Sequence, residues 1–178
     1  MPVLLAVLSD LLLGDPPNRF HPTAWMGSLI AFLGRFRPHN QPAAELLYGG
    51  LLMFLGLALV GGTGALLTWL FALLPLPFNW LATALVLKTT FSLRGLDRAA
   101  GEVLSALEIG NLPEARRLLS WHLVSRETSQ LTESQVAAAA IESVAENASD
   151  SLVAPLFFYV IGGLPLALAY RFANTADA

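Results

Sequence analysis

The sequence predicts an all-α, polytopic helical membrane protein with a helical cytoplasmic insert, and three observations support this fold class. The chain of 178 residues is 55% hydrophobic and only 13% charged, and its mean hydropathy of +0.61 lies far above that of a soluble domain. Long uncharged blocks alternate with polar, proline-punctuated segments. No stretch shows the alternation of apolar and polar residues that indicates a β-strand. Residues 1–178 are expected to form a single membrane domain.

The first apolar block, residues 2–13, is too short to cross a hydrocarbon core that needs about 20 residues. We expect it to be partly inserted or packed on other helices. Asp10 within this block is costly to bury, so it is predicted either to face a site or to cap the next turn. The polar stretch 14–41 follows and contains an amphipathic piece, 25–36, that is suited to the membrane interface.

Residues 46–93 are predicted to form a transmembrane hairpin. Its first arm, 46–74, is uncharged and long enough to cross the bilayer, and prolines mark the turn at 75–77. The glycines at 61–64 within the first arm are typical of a close helix-packing site. Lys88, near the end of the second arm, is expected to extend its ammonium group to the lipid headgroups.

Residues 95–150 are predicted to form a helical insert outside the membrane, because apolar residues recur there at helical spacing. Gly110 and Asn111 break the first helix, and Pro113 suits the first turn of the second. Thr132 and Gln135 have the spacing of a capping box, which predicts the start of a third helix.

The distribution of basic residues predicts the topology. Eight of the ten lie in segments 14–41 and 92–150, whereas the turn at 75–77 has none. Lys and Arg concentrate on the cytoplasmic side of a membrane, so both ends of the hairpin and the insert are placed in the cytoplasm, where ATP is found. The predicted location is therefore the cell (inner or plasma) membrane, with several passes and the site facing the cytoplasm.

Three carboxylates near the end of the insert have a spacing that suggests chemistry. Glu142, Glu146 and Asp150 recur at intervals of four and would share one helix face. Each such like-charge pair destabilises a helix by roughly 0.2–0.5 kcal/mol, and no Lys or Arg lies within a turn of them. A cation such as Mg²⁺ carrying a phosphate ligand would supply the missing charge. A solvated helix face is the alternative interpretation.

The last apolar segment, residues 152–172, is predicted to be broken or kinked, because the Gly-Gly-Leu-Pro sequence at 162–165 interrupts it. A straight helix would put Asp150 and Asn174 about 36 Å apart, on opposite sides of the membrane. A broken helix would return Asn174 and Asp177 to the acidic side and line a cavity. The sequence leaves both alternatives open.

Composition excludes several classes of site. The chain has no cysteine, so it holds neither a disulfide nor a thiolate metal site. Its net charge is −3 and it has no basic run, so no nucleic-acid partner is expected. The chain is expected to contact membrane lipid.

Three blocks of residues resemble a known family in the family's own order. The first is 10–16 with His21, Pro22 and Gly27; the second lies within 119–131; the third is 142–157 with Gly163, Tyr170 and 174–177. On these blocks the chain resembles the adenosylcobinamide-phosphate synthase family of cobalamin biosynthesis, the CobD/CbiB integral membrane proteins. It departs where Glu127 replaces the usual Asp and where 176–178 reads Ala-Asp-Ala instead of Leu-Asp-Ser.

The resemblance implies an activity and its cofactors. The family converts adenosylcobyric acid to adenosylcobinamide phosphate by attaching aminopropanol, usually as its phosphate, through an amide bond. An ATP-dependent, amide-forming ligase with Mg²⁺ is implied, with corrinoid and amino-alcohol small molecules as substrates. Homo-oligomers and biosynthetic complexes are both compatible with it. Family members continue past the Asn-Thr-x-Asp sequence at 174–177, so the chain is predicted to be the N-terminal part of a longer protein that carries the activity.

Candidate residues exist for each role that this chemistry needs. Arg126 offers a planar fork for phosphate or carboxylate, and His21 is either a general base or a structural residue before a proline. The predicted catalytic residues are Arg126, His21, Asp15 and Asp177; the substrate-binding residues Asn147, Asn174, Glu127 and Thr128; and the metal ligands Glu142, Glu146 and Asp150. A membrane transporter or permease module and a non-catalytic membrane scaffold are the rival hypotheses.

Overall fold

The computed structural model describes residues 1–177, apart from the side chain of Asn18, and Ala178 at the end of the family resemblance lies outside the described residues. The described chain is all-helical and has no strand. Its α-helices are α1 (Pro2–Leu13), α2 (Pro22–Gly34), α3 (Pro42–Ala72), α4 (Leu76–Lys88), α5 (Leu93–Glu108), α6 (Leu112–His122), α7 (Glu133–Ala148) and α8 (Ala154–Asp177). A 3₁₀ turn, Asn18–Phe20, precedes α2, and a π-helical segment, Ser149–Val153, joins α7 to α8.

Buried apolar residues form two clusters, which separate the insert from the apolar helices. One cluster joins α1, α4 and α8, with Phe91 beyond the end of α4: Ala6, Ala84, Leu87, Phe91, Leu164 and Ala167. The other joins α5, α6 and α7: Val103, Ala106, Ala115, Leu119, Val136 and Ala139. The insert therefore has a core of its own.

Local signals position the helices of the insert where the sequence predicts them. Gly110 adopts a positive φ of 69° after α5, and the Asn111 side chain caps α6 by accepting from the backbone N–H of Glu114. Thr132 and Gln135 form the reciprocal capping box that opens α7. These side chains satisfy backbone N–H groups that have no partner inside the helix.

The predicted hairpin differs from the structure in its second arm. Helix α4 ends at Lys88, because the chain turns at Thr89–Phe91 and Ser92 caps α5. At 1.5 Å per residue, its 13 residues extend about 20 Å, which is less than the hydrocarbon thickness of about 30 Å. Helix α4 packs mainly on α1, and α3 packs mainly on α8. The long, apolar stretches that could cross a membrane by length and composition are α3 and the continuous run Glu133–Asp177.

Helix α8 is broken within the Gly-Gly-Leu-Pro sequence. Gly162 and Gly163 have non-helical backbone angles, and Gly163 has a positive φ of 66° that side chains disfavour. The break lies against α3 at Gly64, where a Cβ atom would come within 2.7 Å of the Pro165 Cα. About two helical turns earlier, on the same face of α3, Gly56 lies under the ring of Phe172. Small residues on α3 thus allow both halves of α8 to pack closely against it.

Candidate active site

A polar cavity of about 620 Å³ opens where the insert meets the end of α8. Its walls are the end of α6 with the residues that follow, the last turns of α7, the π-helical segment, the last turns of α8 and the start of α2. The lining residues that bear polar functional groups are Thr23, Ser120, Trp121, His122, Ser125, Ser143, Glu146, Asn147, Asp150, Ser151, Arg171, Asn174, Thr175 and Asp177. Elements from both ends of the chain therefore contribute to one cavity.

A chain of hydrogen bonds runs along the cavity wall. Asn147 donates through Nδ2 to the Ser143 carbonyl at 2.9 Å, and Ser143 in turn donates to the Leu123 carbonyl. Ser151 donates to the Asn147 side-chain oxygen at 3.5 Å. Arg171 Nη1 donates to Ser151 Oγ at 3.3 Å and to Asn174 Oδ1 at 3.1 Å. This network joins α7, the π-helical segment and α8.

The cavity brings together five of the residues predicted for the site. Glu146, Asn147 and Asp150 come from the acidic stretch of α7 and the π-helical segment, and Asn174 and Asp177 come from the end of α8. This is the arrangement that the broken-helix alternative requires, since Asp150 and Asp177 line the same space. Residues in π-helical turns are frequent at functional sites.

The predicted three-carboxylate metal site is not formed as one cluster. In residues 1–177, no three acidic or histidine side chains converge to hold a metal ion. Glu142 lines a separate cavity of about 260 Å³ beside Arg126, and Glu146 lines both cavities. Arg126 Nη2 lies 3.6 Å from Glu142 Oε2, so Glu142 gains a cationic neighbour from the loop before α7, which spacing along the helix could not reveal.

The other predicted basic and substrate-binding residues also lie away from the polar cavity. Arg126 has a side chain 62% exposed and pairs with Glu142, so the phosphate clamp assigned to it is not placed at the cavity. Thr128 is buried and donates to the Arg116 carbonyl at 2.9 Å. Glu127 accepts from the Ser129 backbone N–H, which lowers the pKa of the Glu127 carboxyl below its ordinary value. Both residues shape the loop between α6 and α7.

Asp15 and His21 belong to a different group of charged residues, at the junction of α1, α4 and α5. Lys88 lies between two carboxylates, 3.1 Å from Asp10 Oδ1 and hydrogen-bonded to Asp15. Asp10 is fully buried and also accepts from the backbone N–H of Arg94, which caps the first turn of α5. Lys88 is 5% exposed, so its expected extension to the headgroups is wrong. Two neighbouring carboxylates supply the partners that a buried ammonium group needs.

The environment of Asp15 stabilises its ionised form. Partial burial raises the pKa of the carboxyl, but the His21 imidazole 3.7 Å away and hydrogen bonds from Lys88 and Ser92 outweigh burial and hold the pKa well below its usual range. His21 caps α2, because its Nδ1 accepts from the backbone N–H of Thr23 at 3.2 Å. This contact supports the interpretation of His21 as a structural residue. Thr23 lines the cavity, so this group supports one wall of the site.

Arg171 is the residue at the cavity that sequence reasoning missed. It directly follows the uncharged block 152–170 and is half-buried. The available signal was a basic residue three positions before Asn174, which is one helical turn. Ser151, which Arg171 contacts, lies 20 residues earlier in the chain. A pattern of neighbouring residues therefore could not reveal this contact.

The donor set of the cavity is suited to hard cations and to phosphate. Carboxylate and amide oxygens are the ligands that Mg²⁺ prefers, and Mg²⁺ at phosphate-handling sites is usually held by one or two carboxylates together with substrate phosphates. Glu146, Asp150 and Asp177 supply such carboxylates. The residues therefore fit Mg²⁺ in that shared mode and not in an all-protein cage.

Comparisons with known proteins are consistent along the whole chain. The family model described as CobD/Cbib protein matches residues 3–178. The probable cobalamin biosynthesis protein CobD of Methanocaldococcus jannaschii is 36% identical over 99% of this chain and 58% of its own length. The cobalamin biosynthesis proteins CobD of Citrobacter koseri and Halalkalibacterium halodurans are 41% and 42% identical, over 98% and 99% of this chain and 55% and 54% of their own lengths.

No solved structure matches the chain significantly. The chain spans a little over half the length of the curated relatives it matches. The family match covers nearly all of it and includes both the acidic stretch and the Asn-Thr-x-Asp sequence. The chain belongs to the CobD/Cbib protein family.

Proposed function

We propose that the full-length protein acts in cobalamin biosynthesis and joins an amino alcohol, as its phosphate, to adenosylcobyric acid. The product is an amide, adenosylcobinamide phosphate. Related proteins carry cobalamin biosynthesis in their names, which supports the pathway. The observation that carries the site is the polar cavity, which gathers Glu146, Asn147, Asp150, Asn174 and Asp177 from two distant parts of the chain.

Amide formation from a carboxylate needs activation, because a carboxylate does not acylate an amine at neutral pH. We propose that ATP supplies this activation. The substrate carboxylate attacks the γ-phosphorus and releases ADP, and the amine then attacks the acyl phosphate and releases phosphate and a proton. The protein must therefore bring three anionic substrates to one site, two for each step, and accept one proton.

Residues of the cavity match these requirements. Asn147 and Asn174 are held by the hydrogen-bonded network and are placed to orient substrate polar groups. Asp177 lies exposed at the end of α8, where its carboxylate can hold the amine as an ammonium ion before attack. Glu146 and Asp150 are the residues assigned to Mg²⁺, which when bound would neutralise phosphate charge.

The site is proposed to face the cytoplasm at the edge of a cell membrane. Helix α3 is long, apolar and largely exposed in the isolated chain, as a lipid-facing helix would be. Eight of the ten basic residues lie in segments 14–41 and 92–150, and the second of these contains the insert. Nucleotide is available in that compartment, which supports the proposed orientation of the insert.

The test uses the full-length protein in detergent or lipid nanodiscs. Adenosylcobyric acid, amino-alcohol phosphate, ATP and Mg²⁺ are supplied, and adenosylcobinamide phosphate and ADP are measured by mass spectrometry. Asp150→Asn and Asp177→Asn should each lower kcat/KM by about 100-fold or more, as expected when a positioned charge at a reacting group is lost. Glu108→Gln is the matched control, because Glu108 is exposed on α5 outside the cavity.

Two results would contradict the proposal. Product formation by the wild-type protein without a nucleotide would exclude the ATP-dependent route. Wild-type rates in both Asp150→Asn and Asp177→Asn would separate the cavity from the reaction.

The rival function is a permease. One observation favours it: helix α8 is broken beside α3. The ligase is preferred because the polar residues collect at one end of α8 and not around its break. Corrinoid flux into vesicles that contain the full-length protein, without ATP or product, would support the permease instead.

A further inference from the structure

We infer that Arg171 binds a phosphate group of a substrate in the polar cavity, an inference that rests on the proposed function of that cavity. The geometry behind it begins with the guanidinium itself. Nη1 donates to Ser151 Oγ and Asn174 Oδ1, whereas Nε is buried and has no acceptor within residues 1–177. The guanidinium is thus held in place with donors left over.

No carboxylate of the described residues lies within ion-pair distance of Arg171. This is unusual for a half-buried arginine, because removing an ion from water is costly unless a partner or several hydrogen bonds compensate. Arg94 and Arg116 donate to backbone carbonyls, and four other arginines have ionic partners. Arg37, Arg98 and Arg117 pair with nearby glutamates, and Arg126 pairs with Glu142. An anion entering the cavity would give Arg171 the direct ionic partner that these four arginines have.

The surroundings indicate the kind of anion. The cavity also holds Glu146, Asp150 and Asp177, so a bare anion would be repelled from much of it. A phosphate that carries Mg²⁺ presents cationic charge to the carboxylates and oxygen atoms to the arginine. Arginine is well suited to this task, because its planar fork can make two parallel bonds to phosphate.

Ser151 and Asn174 then act as positioning residues. Each accepts from Nη1, and Ser151 is itself hydrogen-bonded to Asn147. These contacts fix the rotamer of Arg171 before the ligand arrives, which lowers the ordering cost of binding. The Asn-Thr-x-Asp sequence would therefore contribute to phosphate binding through Asn174.

The test measures binding and turnover separately in the full-length protein. Isothermal titration in the presence of Mg²⁺ follows inorganic phosphate, a non-hydrolysable ATP analogue, amino-alcohol phosphate and adenosylcobyric acid. Arg171→Gln should weaken at least one phosphate probe by about 10- to 100-fold, as expected for the loss of a charge-assisted hydrogen bond. The probe that weakens identifies the source of the phosphate. Arg35→Gln, on the exposed end of α2, should bind every probe like the wild type.

A second variant distinguishes ligand binding from a structural role. Ser151→Asp would place a carboxylate beside the guanidinium, so it should raise the Tm of the ligand-free protein and weaken phosphate binding. A merely structural arginine would show no such opposite change. This variant also gives a result if Arg171→Gln fails to fold.

Several outcomes would overturn the inference. Unchanged affinity for all three phosphate probes in Arg171→Gln would do so, and so would a loss confined to the phosphate-free adenosylcobyric acid. Unchanged phosphate affinity in Ser151→Asp would have the same force. Failure of the proposed function is seen separately, as a wild-type protein that binds phosphate through Arg171 but forms no amide.

Discussion

Replacing one glycine of α3 tests the packing that places the end of α8 at the cavity. In Gly64→Ala the new Cβ would lie 2.7 Å from the Pro165 Cα, 2.8 Å from the Pro165 nitrogen and 2.9 Å from the Leu164 carbonyl carbon. Carbon atoms in good contact are about 3.5–4.0 Å apart, so the broken segment of α8 must move away by roughly 0.7 Å or more. All three contacts are with backbone, which cannot relieve the clash by a rotamer change.

Comparison with a matched control variant gives the free-energy cost of the clash. Gly62→Ala lies two residues earlier on α3 and meets no atom within 4 Å. Alanine favours a helix over glycine by about 1 kcal/mol in water, and this term applies to both variants. The difference between them therefore isolates the clash, for which overpacking predicts a loss of about 1–3 kcal/mol in Gly64→Ala relative to Gly62→Ala.

The assay is denaturant-induced unfolding of the full-length protein in detergent micelles, with turnover measured on the same samples. Because a shift of about 1 Å at a reacting group can cost about 100-fold in rate, Gly64→Ala should also lower product formation although it does not contact the cavity. Equal unfolding free energies for Gly62→Ala and Gly64→Ala would refute the close contact between α3 and the break in α8. Wild-type turnover in a destabilised Gly64→Ala would separate that contact from the position of Arg171.

Three further results are expected. Lys88→Met should lower the free energy of unfolding by about 3–5 kcal/mol, because it leaves two carboxylates without their shared cation. The control Arg98→Met, on an exposed surface, should change this free energy by less than about 0.5 kcal/mol. Equal effects of the two variants would contradict the buried charge group. The depressed pKa of Asp15 stabilises the fold above the ordinary Asp value of about 4, and this contribution is lost as the pH falls below it. Wild-type stability should therefore decline more steeply in acid than that of Asp15→Asn, and parallel curves would argue against it. Finally, a cysteine at Asn111 should react with an impermeant maleimide only from the cytoplasm and one at Leu76 only from outside; the reverse pattern would invert the proposed topology.

Features with local causes could be predicted from the sequence. The all-helical fold is confirmed, as is membership of the CobD/Cbib family. Helix starts at Pro113 and Thr132 and the break at Gly162–Gly163 lie where turn and capping chemistry indicated. Each depends on side chains that act on backbone within a few residues, which is the range over which sequence pattern carries information.

The acidic residues show where that range ends. Their spacing predicted one face and one metal site, but Glu142 contacts Arg126 from another element and faces a separate cavity. Glu146 and Asp150 instead join Asn174 and Asp177. The spacing identified three carboxylates that line cavities, and the fold of α8 decided which of them share one with Asn174 and Asp177.

By itself, the sequence determined the helices, their caps, the apolar character of α3 and α8, and the residues that mark the family. Only the tertiary structure decided that Lys88 lies between Asp10 and Asp15 and that Arg171 lines the cavity. These partners are far apart in the chain, so no period of 3.6 residues relates them. Arg171 reaches the cavity because the glycines of α3 let the broken helix α8 pack closely. Lys88 meets Asp10 and Asp15 because α4 packs on α1, and close packing sets which charges share a space.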